Sequence, residues 1–251
     1  MACPRCRRSN PPRIRFCPAC GLQLESAASP APARSSPRTG SARLVLLRGV
    51  GDSGTTLQLR DESTPIGRAT GTLRLSADDT LPALAATFIY RDGRLFLRDE
   101  GGPSGVLVRL AAPAILGESD DFSIGDKLIR FLGKVPATPP PTAGSTRLLG
   151  SARIGNGPLL RLQVMHLGGI PGRIFARPAP IRIGRALGEI LFADDPFVSA
   201  RHCEIDLDPA GAILRDLGSS NGTFLRLPKG GERELRTGDT IRLGRNVFRL
   251  E

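Results

Sequence analysis

Residues 183–225 read IGRALGEILFADDPFVSARHCEIDLDPAGAILRDLGSSNGTFL, and three short signals stand inside this stretch. Gly184-Arg185 closes an apolar run of strand character. Ser199-Ala200-Arg201-His202 follows a turn, Asp194-Asp195-Pro196. Ser219-Ser220-Asn221-Gly222-Thr223 follows a second strand-like run over residues 212–216. Short β-favouring runs separated by turn residues predict a β fold whose loops carry the polar groups on a rigid scaffold. Arg185 is a permanent cation whose planar fork suits a phosphate. Ser199 and Ser220 are hydroxyl donors. Asn221-Gly222 favours a tight turn with positive φ and leaves an amide to hold a neighbouring backbone.

Taken singly, Arg185 reads as an ordinary strand-end arginine and Asn221-Gly222 as a plain hairpin turn. Taken together and in this order, the motifs resemble the forkhead-associated (FHA) domain, a phosphothreonine-reading β-sandwich. The resemblance implies that Arg185, Ser199, Arg201, Ser220 and Asn221 bind a phosphopeptide. It also implies that Gly184, His202 and Gly222 shape the loops. A phosphothreonine brings about −1.5 to −2 charges and three acceptor oxygens. Each charged hydrogen bond to it contributes roughly 1.5–3 kcal/mol, enough to separate it from bare threonine. The family often carries a polar or basic residue where this chain has Ala200, with Arg201 as a partial replacement. Ser199, His202 and Asp194 or Asp195 could also suggest a hydrolase triad. No nucleophile elbow surrounds Ser199 and nothing suggests an oxyanion hole, so the expectation is a protein that is not an enzyme.

Composition bounds the rest. At 251 residues and 40% apolar content the chain has room for two domains. The net charge of +11 is uneven: residues 1–24 hold five arginines and no acid, whereas residues 43–133 carry 11 basic against 12 acidic side chains. No globular segment is strongly basic, so nucleic-acid binding by the sandwiches is not expected. The N-terminus lacks an apolar leader core, and the longest apolar stretch, residues 81–90, is too short to span a bilayer. A cytoplasmic protein with no membrane contact is the expectation.

Residues 3–20 read CPRCRRSNPPRIRFCPAC. Two Cys-x-x-Cys knuckles, Cys3 with Cys6 and Cys17 with Cys20, can present four thiolates to one structural zinc ion. The pattern resembles the small zinc ribbon at the N-termini of many bacterial regulatory proteins. Disulfides or a redox pair are disfavoured in a cytosolic chain with no thioredoxin-like context. About twenty residues cannot bury a core, so the metal would supply the folding energy.

Residues 43–133 repeat the pattern of the second half. Pro65-Ile66-Gly67-Arg68 matches Arg182-Ile183-Gly184-Arg185, and Asp78-Asp79 matches Asp194-Asp195. Residues 123–130, SIGDKLIR, match residues 236–243, RTGDTIRL. This register sets Ala83 opposite Ser199, Ala86 opposite His202, Pro103 opposite Ser220 and Ser104 opposite Asn221. Residues 43–133 hold no His and no Asn, so they read as a degenerate FHA repeat.

The expected fold is all-β: a zinc ribbon (1–24), a flexible linker (25–42), a degenerate FHA-like sandwich (43–133), a Pro/Thr-rich linker (134–158) and an FHA domain (159–251). The expected function is a phosphothreonine-dependent adaptor in Ser/Thr-kinase signalling, its partner a kinase or a kinase substrate. Thr138, Thr142 and Thr146 in the second linker are candidate self-ligands. Two alternatives are a nucleic-acid or transcription-associated protein acting through the Arg-rich ribbon, and a phosphate-independent scaffold subunit.

Overall fold

Alternation of apolar and polar residues sets the strands. In Ala42–Arg48, sequence ARLVLLR, every second side chain turns inward, so one face is apolar and the other wet. The computed structural model describes residues 41–50, 53–136 and 158–251. The cysteines Cys3, Cys6, Cys17 and Cys20, the first linker through residue 40, and Thr138, Thr142 and Thr146 lie outside the described residues. The described chain is all-β.

The strands in order are β1 (Ala42–Arg48), β2 (Thr56–Leu59), β3 (Ser63–Gly67), β4 (Leu73–Arg74), β5 (Ala86–Arg91), β6 (Arg94–Asp99), β7 (Val106–Arg109), β8 (Ala114–Leu116), β9 (Asp121–Ile124) and β10 (Lys127–Val135). A second set follows: β11 (Leu159–His166), β12 (Ile170–Pro178), β13 (Ile181–Gly184), β14 (Ile190–Leu191), β15 (Cys203–Asp208), β16 (Gly211–Asp216), β17 (Thr223–Arg226), β18 (Glu232–Leu235), β19 (Thr240–Leu243) and β20 (Asn246–Leu250).

They form a ten-stranded sheet, order β12-β11-β10-β9-β17-β7-β19-β20-β1-β2, and two five-stranded sheets, β14-β13-β15-β16-β8 and β18-β6-β5-β3-β4. Each five-stranded sheet covers one half of the long sheet, which gives two sandwiches with separate cores. The first core gathers Leu44, Phe88 and Leu97 with Leu235, Ile241, Phe248 and Leu250. The second gathers Ile183, Ile205 and Leu214 with Phe122, Ile124, Ile129 and Phe131.

The sandwiches therefore do not divide between residues 133 and 159, as the repeat pattern suggests. The closing strands are exchanged. Strands β8 to β10 of the first repeat complete the second sandwich, where β8 pairs with β16 and β10 with β11. Strands β18 to β20 of the second repeat complete the first, where β18 pairs with β6 and β20 with β1. The second sandwich is thus contiguous over residues 114–226, and the first is split around it. Lys134 and Val135, placed in a linker by composition, belong to β10.

The two halves meet where β7 pairs with β17, and Val108 lies opposite its own repeat equivalent, Leu225. An approximate twofold axis passes through that pair. The backbone also corrects the repeat register. Arg185 N–H donates to the Ser199 carbonyl and Arg68 N–H to the Pro82 carbonyl, both at 2.9 Å. His202 N–H reaches the Ile183 carbonyl, and Ala85 N–H reaches the Ile66 carbonyl, again both at 2.9 Å. Pro82, not Ala83, is the counterpart of Ser199, and Ala85, not Ala86, that of His202. The counterpart of Asp195 is Asp78: both are buried acids that cap the next turn, through Phe197 N–H and Thr80 N–H respectively. Residues 117–126 likewise match 236–245, since Gly117 N–H donates to Asp120 and Arg236 N–H to Asp239, each at 2.8 Å. The shared Gly-Asp and Ile-Arg letters align the wrong strand of the hairpin, β10 in place of β9, with β19.

Candidate functional site

Three loops of the second sandwich converge at the end of β13, before β15 and before β17. Gly184 is there because the chains nearly touch: a Cβ would stand 2.3 Å from the Ala200 carbonyl oxygen. That approach lets the Ala200 carbonyl accept from Ala186 N–H at 3.2 Å and Leu187 N–H at 2.8 Å. Arg185 is carried at the rim with its side chain exposed. Its guanidinium has no hydrogen-bond or ion-pair partner among the described residues, so its donors stay available.

His202 fastens the loops from below. It is fully buried; Ser199 N–H donates to its Nδ1 at 3.1 Å, and its Nε2 faces the Gly222 carbonyl at 3.1 Å. Because Nδ1 accepts, the ring proton sits on Nε2 and is donated to Gly222. Burial pushes the imidazole below its ordinary range, against the opposing pull of the Gly222 carbonyl and the Asp216 charge. One neutral ring thus ties the Ser199 loop to the Ser220 loop. Neither nitrogen meets the Ser199 hydroxyl, and Asp195 is occupied by Phe197 N–H and Asp126 N–H. No Ser-His-Asp relay exists here.

Ser199 Oγ accepts from Ser220 N–H at 3.1 Å, which leaves its own hydrogen free to donate outward. Ser220 is exposed beside it. Asn221 Nδ2 donates to the Phe197 carbonyl at 2.8 Å, so this amide links two loops. Gly222 has φ +86°, the left-handed conformation that favours glycine. Arg201 is half-buried beside His202, and Ala200 is exposed with its carbonyl engaged.

Several contributors were not singled out from the sequence. Asp216 holds the base of the third loop: it accepts from Gly218 N–H, Ser219 N–H, Ser219 Oγ at 2.6 Å and Thr223 Oγ1 at 2.7 Å. Burial works to raise its pKa, but the hydrogen bonds from Ser219 and Thr223 prevail and lower it, so Asp216 remains a carboxylate. Ser219 Oγ passes the link on by accepting from Gly222 N–H. The repeat offered a signal for Asp216, because Arg98-Asp99 matches Arg215-Asp216.

Other contributors come from the first repeat. Asp126 N–H donates to Asp195 at 2.8 Å, and Lys127 pairs with Asp194 at 2.7 Å, so the exchanged β9–β10 turn props the loop that carries Ser199. Arg109, at the end of β7, packs on Gly222, where its Nε would stand 2.3 Å from an added Cβ. No local sequence signal marks these groups, because strand exchange brings them here.

Residues 181–244 match the FHA domain. This chain carries an FHA domain. The matched segment crosses the exchange, since β13 to β17 lie in the second sandwich and β18 to β19 in the first. Over 92 residues the chain is 32% identical to the FHA domain-containing protein FhaB of Mycobacterium tuberculosis, covering 36% of this chain and 59% of that protein. Over 67 residues it is 37% identical to the oxoglutarate dehydrogenase inhibitor of Corynebacterium efficiens, covering 27% of this chain and 46% of that one. The chain spans less than two thirds of the length of the curated relatives it matches. A solved structure from work on phosphothreonine-dependent FHA domain interactions is 36% identical, with a TM-score of 0.21, over 32% of this chain and 84% of that one.

Proposed function

We propose that this protein is a non-enzymatic adaptor that reads phosphothreonine through the FHA domain. The observation that carries the reading is an exposed Arg185, its guanidinium without a partner among the described residues, beside two hydroxyls, Ser199 and Ser220, on loops that the buried His202 locks together. Preorganised donors are suited to an anion because little is spent on ordering them when the ligand arrives. Arg185 and the two hydroxyls take the phosphate, and Asn221, already tied to Phe197, presents its remaining capacity to the ligand backbone. Arg201 flanks the same loop as an auxiliary cation.

The reading extends to Ser/Thr-kinase signalling in the cytoplasm, with a kinase or its substrate as the partner. Phosphorylation of Thr138, Thr142 or Thr146 would make the chain its own ligand. A structural zinc held by Cys3, Cys6, Cys17 and Cys20 belongs to the same proposal; metal analysis of the purified chain, with and without chelator, tests it. Among the described residues no helix is long and apolar enough to cross a membrane.

The deciding experiment titrates the full chain with a degenerate peptide library in phosphothreonine, phosphoserine and threonine forms, alongside Arg185→Ala. Binding of the phosphothreonine set alone, lost in the variant, is the expected result. Equal binding of all three sets would end the reading.

A further inference from the structure

The two sandwiches share one long sheet, and between them that sheet leaves an open seam of about 700 Å³. That volume lies within the ~300–1,000 Å³ of ligand pockets, which favour the joints between domains. The seam is on the face turned away from both cores: Leu107 lines it, while its neighbours Val106 and Val108 belong to the first core. Each sandwich supplies only one side. Arg48 at the end of β1 and Ser104 before β7 come from the first. Leu128 on β10, Met165 on β11 and Leu167 just beyond it come from the second. One sandwich alone would not contain this site.

The lining is apolar and its charge is uneven. Leu107 and Leu128 belong to a small cluster with Phe224 and Val247 that is separate from the sandwich cores, and Leu167 stands 74% exposed at the rim. Of the described residues, three arginines and two aspartates line the seam, which leaves one positive charge over. Arg245 pairs with Asp79 at 3.3 Å. Arg242 has Asp126 at 3.6 Å and donates to Ser123 Oγ at 3.1 Å and the Gly125 carbonyl at 2.6 Å. Arg48 is the cation left over. Its guanidinium lies 4.4 Å over the Phe197 ring, which holds it across the seam, and its Nη1 is buried with no hydrogen-bond partner among the described residues. Ser104 Oγ is likewise buried and without a partner among them. Unused buried donors carry a desolvation cost that an incoming acceptor relieves. Burial lowers the Arg242 pKa, and Arg48 pushes it the same way against the pull of Asp126, so positive charge is crowded here.

We infer that the seam binds a small amphipathic acid, a carboxylate or phosphate monoester on an apolar body, with the acid on Arg48 and the body on Leu107, Leu128 and Met165. Both parts are needed, because each alone uses half of the lining. A bare anion leaves the apolar wall in water, and a neutral apolar molecule leaves Arg48 Nη1 unpaired. Ser104 Oγ donates to a second oxygen of the ligand. Residues 137–157, the chain's own connection between β10 and β11, hold two arginines and no acid, so they do not supply the anion. The site is also separate from the phosphate loops: none of Arg185, Ser199 and Ser220 lines the seam.

Met165 supplies the readout, because the chain has only two methionines, Met1 and Met165. The full chain, isotope-labelled at the methionine methyl groups, is titrated by NMR with octanoate, octyl phosphate and phenylpropionate. Octanol, phenylpropanol and acetate serve as ligands with one part missing. At least one of the three acids is expected to shift the Met165 signal saturably while that of Met1 stays in place. The matching alcohol, and acetate, should bind at least about tenfold more weakly. Arg48→Ala and Arg48→Gln should weaken the acid about tenfold, to the level of its alcohol, and Arg48→Lys should recover part of the loss. Thermal unfolding of each variant separates lost binding from lost fold. The seam site is overturned if no acid shifts Met165, if an alcohol binds as well as its acid, or if acid binding is unchanged in Arg48→Ala and Arg48→Gln. An acid whose binding is lost in Arg185→Ala instead occupies the phosphate loops and overturns it as well.

Discussion

Across the local twofold axis the same three loops occur twice, once armed and once bare. Arg68 stands for Arg185, but Pro82 replaces Ser199, Ala85 replaces His202, and Pro103 and Ser104 replace Ser220 and Asn221. The backbone has barely noticed. Gly67 is pressed against the Ala83 carbonyl as Gly184 is against that of Ala200, at 2.0 and 2.3 Å from an added Cβ. Asp99 bonds Gly101 N–H and Val106 N–H much as Asp216 holds its own loop. Loop course is therefore set by close-packed backbone and a buried carboxylate, while ligand chemistry is a separate layer of side chains. The first repeat has the scaffold without those side chains, and it supports the loops of the second through Asp126, Lys127 and Arg109.

The largest effect should come from cutting the chain at the true boundary of the armed half. Residues 110–227 contain the whole second core and are expected to unfold cooperatively and to retain phosphopeptide binding. Residues 159–251 lack Leu116, Phe122, Ile124, Ile129 and Phe131 of that core. At roughly 1.5–3 kcal/mol per buried side chain, the loss is on the order of 10 kcal/mol, comparable to the whole stability of a domain. Circular dichroism melts of the two fragments decide this. A cooperative melt for 159–251 would mean that its own hairpin can be taken back.

Next, Arg185→Ala should weaken phosphopeptide binding at least about 100-fold, if two charged hydrogen bonds go. Arg68→Ala should change it less than about twofold, as calorimetric titration of both variants would reveal. If Arg68→Ala proves equally damaging, the bare half also reads a ligand. His202→Ala should cost about 2–4 kcal/mol in urea unfolding, from the Ser199 N–H and Gly222 carbonyl left without partners and a cavity left behind. Ser199→Ala, which makes the armed loop more like Pro82, should cost about tenfold in affinity and little stability.

The smallest expected effect is on pH dependence. The folded pKa of His202 lies below its unfolded value near 6.5. Above that value both states are neutral and stability is full. As pH falls below it the unfolded chain takes up a proton first, and stability declines until the folded pKa is passed. His202→Asn should remove this slope, measured as urea midpoints from pH 7.5 downward. An unchanged slope would assign it to other groups.

Much of the molecule was legible in order along the chain. Strand periodicity gave the all-β class, and Gly184-Arg185, Ser199 with His202, and Ser220-Asn221 led to three loops that the fold brings together. What escaped was everything set by partner choice. Hairpins β9–β10 and β19–β20 present similar apolar faces, so pattern alone cannot say which core each one fills. The repeat register slipped by one at Ala83 because Ala83, Ala85 and Ala86 are nearly indistinguishable as letters. Only hydrogen bonds from Arg68 and Ala85 fix it. Arg109 was invisible for the same reason: its meaning depends on Gly222, more than a hundred residues away.

The exchange of closing strands also sets a timetable. During synthesis an N-terminal domain usually folds first. Here the first sandwich cannot close until β18 to β20 have emerged, whereas the second is complete once β17 is made. The earlier-made half of the protein is the later to finish, and it waits with Leu44, Phe88 and Leu97 uncovered around a neighbour that is already built.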